Sequence, residues 1–363
     1  MKIIRRQIPR TKGQQKGRCS LKTHLTGTTA HTEADHSPLK LVTSKKWHKS
    51  RTKKVTTAAF LMELNKVVEA GIASIPRKRF PRVTITDGVG DEEIAVLVIS
   101  DLQIGHKTPT TNMKIIAKRA ELMAERALKI IEIQRRAHPI KELKIFLLGD
   151  CIQSEDIGFK VSLNELDATL MEQIFNGAVP ILETLLLRLA PYFPRGIDVH
   201  TVSGNHGRLD RFHSETTNWD TIIYKLLEAR LLQYPEIRWH IEGEKFYQVV
   251  CILKWSFLLV HGDQIPMYMN IPWYGITMRA MRWSGSIRQH FKYMVLGHFH
   301  VASETEWNDK EIFVNGCFVT DDQWVLKGLG LQSTAKQWAF GVHPRKGVTW
   351  RYKIMLEHAN RPS

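Results

Sequence analysis

The sequence predicts an α/β fold in which a parallel-rich sheet with helices on its faces is followed by a second set of strands. Three observations predict it. Between about residues 94 and 232, short β-branched and aliphatic runs alternate with amphipathic stretches of helical length, the pattern of strand–helix units. After Ile237 the runs Trp239–Ile241, Phe246–Leu253 and Phe257–Val260 follow one another with no long helix between them. Five hydrophobic runs also stop abruptly in polar residues, as buried strands do when they deliver side chains to the C-terminal edge of an open α/β sheet. Two sheets packed face to face, with helices outside, fit this order.

The chain opens on a basic arm. Residues 1–80 hold 19 Lys/Arg against 4 Asp/Glu, whereas the remaining 283 hold 33 against 32, so essentially all of the net charge of +16 lies in the arm. Such an arm suits a polyanion, nucleic acid before membrane, through phosphate neutralisation and counterion release; a solvated tail is the alternative. Its Ser, Thr, Gln and Gly content predicts disorder to about Thr52. Cys19, His24, His31 and His36 match no zinc-finger spacing and read as fortuitous. Thr56–Ala70 puts Phe60, Leu61, Leu64, Val67 and Val68 on one helical face and stops at Gly71. Ile75–Arg82, with its two prolines, reads as a linker, which divides the chain into an arm over 1–82 and a folded body over 83–363.

Cysteine usage and apolar runs bound the setting. Cys19, Cys151, Cys251 and Cys317 are far apart and form no CxxC pair, which predicts a reducing compartment, cytoplasmic or nuclear. The start MKIIRRQIPR lacks the apolar stretch of a signal peptide, and no apolar run approaches the ~20 residues of a membrane span. Neither secretion nor a membrane partner is expected.

Within the body, a strand over 94–100 leads to a helix over about 112–137 that Pro139 closes. A strand over 143–148 precedes a helix over about 163–190 that Pro180 interrupts, and a strand over 197–203 precedes a helix over about 218–232. Residues 264–291, containing MYMNIPWYGITMRAMRW, read as a helical or loop insertion rich in aromatics and Arg. Strands near 293–297, 311–319 and 337–355 finish the chain, and no internal repeat is evident.

The polar strand ends carry the chemistry. VLVISDLQIGH stops at Asp101, IFLLGD at Asp150, VHTVSGNH at His206, FLLVHGD at Asp263 and YMVLGHFH at His300. Together they supply Asp101, Gln103, Asp150, Asn205, His206, His261, His298 and His300, donors that suit hard and borderline metal ions. Gaps of 49, 55, 56 and 37 residues each leave room for a strand–helix or strand–hairpin unit, so the motifs come from different strands and can converge at one edge. One motif alone means little; five in order are a strong signal. The donor count fits two ions bridged by one carboxylate, with Asp150 as the natural bridge. A locally extended GHFH would let His298 and His300 reach different ions.

The series DLQ…GD…GNH…HGD…GHFH resembles the calcineurin-like metallophosphoesterase superfamily, with its pattern DxH…GD…GNH(D/E)…H…GHxH, over about residues 94–320. The resemblance implies a four-layer αββα sandwich of two mixed β-sheets flanked by helices, with a two-metal centre at the sheet edges. It implies that one ion takes Asp101, Gln103, Asp150 and His300, and the other Asp150, Asn205, His261 and His298. His206 becomes the catalytic histidine that stabilises or protonates the leaving oxygen; a structural hydrogen-bond donor is the alternative. Two divalent ions about 3.5–4 Å apart hold a bridging hydroxide, lower its pKa and clamp the phosphoryl oxygens for in-line attack.

Two departures matter. Gln103 stands where the pattern has His, and an amide oxygen is a harder, weaker ligand than imidazole, which points to Mn²⁺ or Mg²⁺ over zinc or iron. GNH is followed by Gly207 and Arg208, so the acid that orients the histidine is missing locally; Asp210 or the neighbourhood of Asp101 is the expected replacement. Arg208 and Arg211 grip a phosphate or are surface charge. Trp273, Tyr274, Arg279, Arg282 and Trp283 stack bases and pair phosphates, or else pack over the core. His106 is not expected to be a ligand, His213 reads as an ordinary loop histidine, and Asp263 reads as a turn residue before a ligand-orienting one.

The preferred expectation is a metal-dependent phosphodiesterase or nuclease acting on nucleic acid. A phosphomonoesterase on proteins or small molecules is the second reading, and a non-catalytic nucleic-acid-binding subunit the third. Retention of Asp101, Asp150, Asn205, His206, His261, His298 and His300 argues against the third, because a silent site has no need of all seven.

Overall fold

The first strand is buried along its whole length, and its side chains alternate between two cores with a period of two, which sets the layers. In β1 (Glu93–Ile99), Ala95, Leu97 and Ile99 enter one core while Ile94, Val96 and Val98 enter another. The computed structural model describes residues 66, 83, 85, 88–155, 165–209, 215–269, 271–322, 326–327, 332 and 334–357. The readings of Cys19, His24, His31, His36, Asp210, Arg211 and His213 fall outside these residues, as does the helix over 56–70 apart from Lys66. The chain divides into Met1–Lys54 and Val55–Ser363, and the second unit contains everything that follows.

Helix α1 (Met113–Arg135) starts where the Asn112 side chain accepts the Ile115 N–H, leads to β2 (Ile140–Leu147), and buries Ile116, Ala120, Met123, Ala127 and Ile131. Helix α2 runs through Leu170–Glu172, a π-helical turn at Gln173–Ala178, and Val179–Leu189. Then come β3 (Ile197–Thr201), α3 (Trp219–Arg230) and β4 (Ile237–Ile241). The second half contributes β5 (Tyr247–Ile252), β6 (Trp255–Val260), α4 (Trp273–Ser286), β7 (Tyr293–Leu296), β8 (Ser303–Trp307), β9 (Lys310–Val314), β10 (Lys336–His343) and β11 (Gly347–Met355).

Six strands form one sheet in the order β11-β10-β1-β2-β3-β4, and five form the other in the order β5-β6-β7-β9-β8. Strands β1 to β4 are mutually parallel, β10 lies antiparallel beside β1, and β11 lies antiparallel to β10. In the second sheet β6, β7 and β9 run parallel between antiparallel β5 and β8. Among the described residues no strand pairs across the two sheets, and an apolar seam joins them. Phe146, Phe257, Phe313 and Phe340 fill that seam, with Phe313 and Phe340 stacked at 5.1 Å, and burying each ring contributes on the order of 2–3 kcal/mol. The helices α1 to α3 cover the far face of the six-stranded sheet, and α4 covers the far face of the other through Ile276, Ala280 and Trp283. The protein is therefore a four-layer αββα sandwich of two mixed sheets, as expected.

Several elements differ from the sequence reading. Pro180 does not interrupt α2: the π-helical turn before it, where Val179 N–H reaches back to the Ile174 carbonyl, absorbs the mismatch. Strand β8 was not foreseen, because SETEW is polar and largely exposed on a sheet edge and so lacks the apolar alternation of a half-buried strand. The single strand expected over 337–355 is the β10–β11 hairpin, reversed at Gly347, whose φ is +78°. The segment over 264–291 holds α4, which supplies the fourth layer. No membrane-length apolar run was expected, yet Leu170–Tyr192 is long and apolar enough to qualify by composition; Leu182, Leu185, Leu186 and Leu189 bury its apolar side in the helix-facing core.

Candidate metal centre

The C-terminal ends of β1, β2, β3, β6 and β7 meet at one edge of the sandwich, and short polar segments leave each of them. Asp101 N–H donates to the Gly149 carbonyl at 3.1 Å and Gln103 N–H to the Asp150 carbonyl at 2.9 Å, which ties the ends of β1 and β2 together. Asp101, Gln103, Asp150, His298 and His300 all have φ between 45° and 70°. Each such residue costs on the order of 1–3 kcal/mol unless its surroundings impose the conformation, and five in one cluster mark a site built for something other than stability. The GHFH segment is therefore not locally extended, contrary to expectation. Its two left-handed residues still send their side chains to different partners.

Close backbone approach explains the glycines of the motifs. A Cβ on Gly149 would lie 2.2 Å from the Gly204 nitrogen, and one on Gly297 2.6 Å from Asp101 Oδ2. Only glycine lets these strand ends approach so closely.

Asp150 is the hub. Its carboxylate, on a side chain 1% exposed, accepts the His206 N–H through Oδ1 at 2.8 Å, while Oδ2 lies 3.0 Å from His261 Nε2. Asn205 Oδ1 lies 3.0 Å from that same nitrogen. His261 Nδ1–H donates to the Leu148 carbonyl at 2.6 Å, so a neutral ring turns a bare Nε2 toward two oxygen acceptors. Donor atoms of Asp150, His261 and His298 all lie within 4.8 Å of one another. On the other side of the cluster, the fully buried Asp101 carboxylate accepts the His298 N–H at 3.0 Å and lies 3.3 Å from His300 Nε2.

Gln103 completes this side. Its Nε2 donates to His206 Nε2 at 3.2 Å, while its buried Oε1 has no hydrogen-bond partner. The orphaned buried oxygen and the two oxygens crowded on one imidazole nitrogen call for positive charge, which a proton on His261 supplies in part and a bound cation would supply to the whole cluster. The donor set therefore fits divalent ions: O and N ligands, several of them anchored by backbone hydrogen bonds.

The electrostatics agree. Burial alone would raise the Asp150 carboxyl, but the charge and hydrogen bonds of His261 and His206 hold it well below the usual carboxylate range. Asp101 is likewise held down by His300 and His261 against its burial. His261, against its own burial, is pushed up to about 10 by Asp150, while burial and the charge of His261 drive His298 down to about 4. These groups compete for positive charge that a cation would supply to all of them at once.

His206 is oriented without an acid. Its Nδ1 lies 3.2 Å from the Gln153 carbonyl, so a backbone oxygen takes the place of the acid expected from Asp210 or near Asp101. Asp263 sits in the turn after His261, as expected, and pairs with Arg208 at 2.5 Å. His106 lies 3.7 Å from Asp322. Trp283 is buried in the core beneath α4, whereas Trp273 is 39% exposed. Among the described residues, no hydrogen bond or ion pair joins Trp273, Arg279 or Arg282 to the candidate ligands.

Sequence reasoning missed Asp220 and Asn218. Asp220 Oδ2 accepts the N–H groups of Asp150 and Gly204 at 2.9 and 2.8 Å, and Oδ1 accepts that of Cys151 at 3.0 Å. Asn218 caps α3 by accepting the Asp220 N–H, and its Nδ2 donates to the Gly204 carbonyl at 2.7 Å. The cap signal of Asn218 before an amphipathic run was available in the sequence; the long-range role of Asp220 was not. Glu93, His138 and His343 form a second group with metal-ligand spacing. Its atoms are already committed: Glu93 accepts from Trp350 Nε1 and Thr349 Oγ1 at 2.8 Å. His343 Nδ1 accepts two backbone N–H groups, which leaves Nε2–H for Asp91 at 3.3 Å. That cluster ties strand ends together.

The sequence matches no family model and no curated protein. Among solved structures, the chain is similar to zinc-complexed Vps29 from Entamoeba histolytica, at 13% identity over 72% of this chain and 99% of that one, with a TM-score of 0.30. It is also similar to an archaeal phosphodiesterase, at 11% identity over 71% and 99% with a TM-score of 0.32. A protein from Streptococcus pneumoniae described as a predicted phosphoesterase shares 10% identity over 72% and 98%, with a TM-score of 0.28. Likeness this slight assigns no activity, which must be read from the residues at the strand ends.

Proposed function

We propose that this protein is a two-metal phosphoesterase and, within that class, a phosphodiesterase acting on nucleic acid. One observation carries the reading. Five strand ends from two sheets bring Asp101, Asp150, Asn205, His206, His261, His298 and His300 into one hydrogen-bonded cluster around Asp150, on a backbone strained to do so.

Asp101, Gln103, Asp150 and His300 would hold one ion, and Asp150, Asn205, His261 and His298 the other. When bound, two divalent ions supply Lewis acidity to a phosphoryl oxygen and lower the pKa of a water nucleophile. The protein supplies the rest. Backbone N–H groups fix the Asp101 and Asp150 carboxylates before substrate arrives, which removes reorganisation from the reaction. The Gln153 carbonyl holds His206 Nδ1 and so orients Nε2, which meets the Gln103 amide at 3.2 Å and lies 3.9 Å from Asp150 Oδ2, toward the centre, where it would move a proton at the leaving oxygen once substrate displaces the amide. The amide oxygen of Gln103 supports Mn²⁺ over softer ions. The basic arm and the Arg-rich segment before β7 support a nucleic-acid substrate, and the free thiols of Cys151, Cys251 and Cys317 support a reducing compartment, cytoplasmic or nuclear.

The test is a substrate panel with Mn²⁺: single- and double-stranded DNA, bis(p-nitrophenyl) phosphate, a phosphopeptide and nucleoside monophosphates, with the full chain and a form lacking residues 1–80. Cleavage of the diesters, with DNA turnover depending on residues 1–80, is expected. Turnover of the monoesters alone would overturn the diesterase reading.

A further inference from the structure

Immediately beyond the candidate centre the chain makes an ordered display of apolar side chains. Gly262 and Asp263 follow His261, and Asp263 pairs with Arg208, two residues after His206, so the segment starts at the rim of the site. Reciprocal hydrogen bonds between Tyr268 and Ile271, at 3.2 and 2.9 Å, close a tight turn with Met269 in a left-handed conformation at φ +49°. Tyr268, Met269 and Ile271 on this turn are 68%, 79% and 55% exposed, and Tyr274 at the start of α4 is 64% exposed with its ring 6.4 Å from that of Tyr268. A soluble surface avoids a contiguous apolar patch of this kind unless something covers it.

Charge says what covers it. From Gln264 to Ser303 the sequence contains no Asp or Glu. Arg282 lies on the exposed face of α4 with Tyr274 and Met281, spaced i, i+7 and i+8, and half-buried Arg279 lies beside it. Neither arginine has a carboxylate partner among the described residues. Paired, exposed aromatic rings beside uncompensated guanidinium groups match a flexible polyanion whose rings are free to stack.

We infer that the turn at Tyr268–Ile271 and the outer face of α4 form a binding surface for single-stranded nucleic acid, leading it toward the strand-end cluster. The inference rests on the phosphodiesterase reading for its purpose, not for its contacts. Bases stack on Tyr268 and Tyr274, while Arg279 and Arg282 take the phosphates. Duplex DNA, whose bases are already stacked, has no use for the rings.

The experiment is fluorescence anisotropy with the full chain, in chelator, using a labelled 20-mer of thymidylate and a duplex of equal length. A Tyr268→Ala/Tyr274→Ala variant keeps the charge and the basic arm, so it isolates stacking. Its affinity for the single strand should fall about tenfold or more, with duplex binding unchanged. Arg279→Glu/Arg282→Glu should weaken single-strand binding and flatten its salt dependence. Single-strand binding equal to wild type in both variants overturns the inference. So does tyrosine-dependent binding of phosphatidylserine vesicles, or tyrosine-dependent self-association in light scattering, where single-strand binding is unaffected. Hydrolysis of bis(p-nitrophenyl) phosphate by the wild-type protein is scored separately. Its absence, with single-strand binding intact, sinks the phosphodiesterase reading and leaves this surface standing.

Discussion

The carboxylate of Asp220 accepts the backbone N–H of Asp150 at 2.9 Å from the first turn of a helix 70 residues further along the chain. The same oxygen accepts the Gly204 N–H at 2.8 Å, and its partner oxygen the Cys151 N–H at 3.0 Å. One side chain thus fixes the ends of β2 and β3 relative to each other. Asp220 meets Asp150 through the backbone N–H, and its role is to position the backbone that bears Asp150 and Asn205.

Replacing Asp220 by Asn should therefore damage both stability and metal affinity. An amide has one oxygen, and its NH₂ would confront a buried N–H. The expected cost is about 1–3 kcal/mol for the unsatisfied donor, read as a lower midpoint in urea denaturation. Calorimetric titration with Mn²⁺ should show weaker binding in the refolded variant. Wild-type values in both measurements would remove the positioning role.

The roles of Asp150 and His206 separate by metal content. Asp150→Ala should lose bound metal, because both proposed ion positions share its carboxylate. His206→Ala should retain metal by elemental analysis while turnover of a diester falls about 10²–10⁴-fold. Full activity in His206→Ala would show that another group handles the proton.

Gln103→His should change which metal activates. The substitution replaces a hard amide oxygen by imidazole, so activation by Zn²⁺ or Fe²⁺ should rise relative to Mn²⁺. The measurement is diester hydrolysis by the metal-stripped protein across a metal series. An unchanged activation order would mean that Gln103 serves only as the donor to His206.

A histidine away from the site should govern acid stability. His200 is buried, stacked on His240 at 4.4 Å, and driven down to about 3 by its burial and by the charges of His240 and Lys144. Its folded value lies below that of the unfolded chain, near 6.5, so the unfolded state binds the extra proton between these values. Stability from this group is complete above pH 6.5 and is lost as pH falls, on the order of 3 kcal/mol by pH 4. His200→Gln should flatten the dependence of the melting temperature on pH over that window. Parallel curves for the two proteins would refute the assignment.

How much of this was legible beforehand differs from element to element. The hydrophobic runs before Asp101, Asp150, Asn205, His261 and His298 identified their strands, since a buried parallel strand writes its burial directly into composition. The outlying strand β8 was invisible because an exposed edge strand need not be apolar. Pro180 misled because its effect on a helix depends on whether the preceding turn can widen, and Gln173–Ala178 does.

Local hydrophobic period and residue type were enough to read two face-to-face sheets with outer helices and to pick out the candidate strand-end donors, while the four-layer αββα class came from the motif resemblance. How those candidate donors are held follows from tertiary contacts alone. The left-handed backbone at Asp101, Gln103, Asp150, His298 and His300, the Gln153 carbonyl behind His206 and the clamp of Asp220 on two strand ends depend on contacts between residues far apart in the chain. No local pattern encodes such contacts, because each requires the backbone of one strand end to arrive within hydrogen-bonding reach of another.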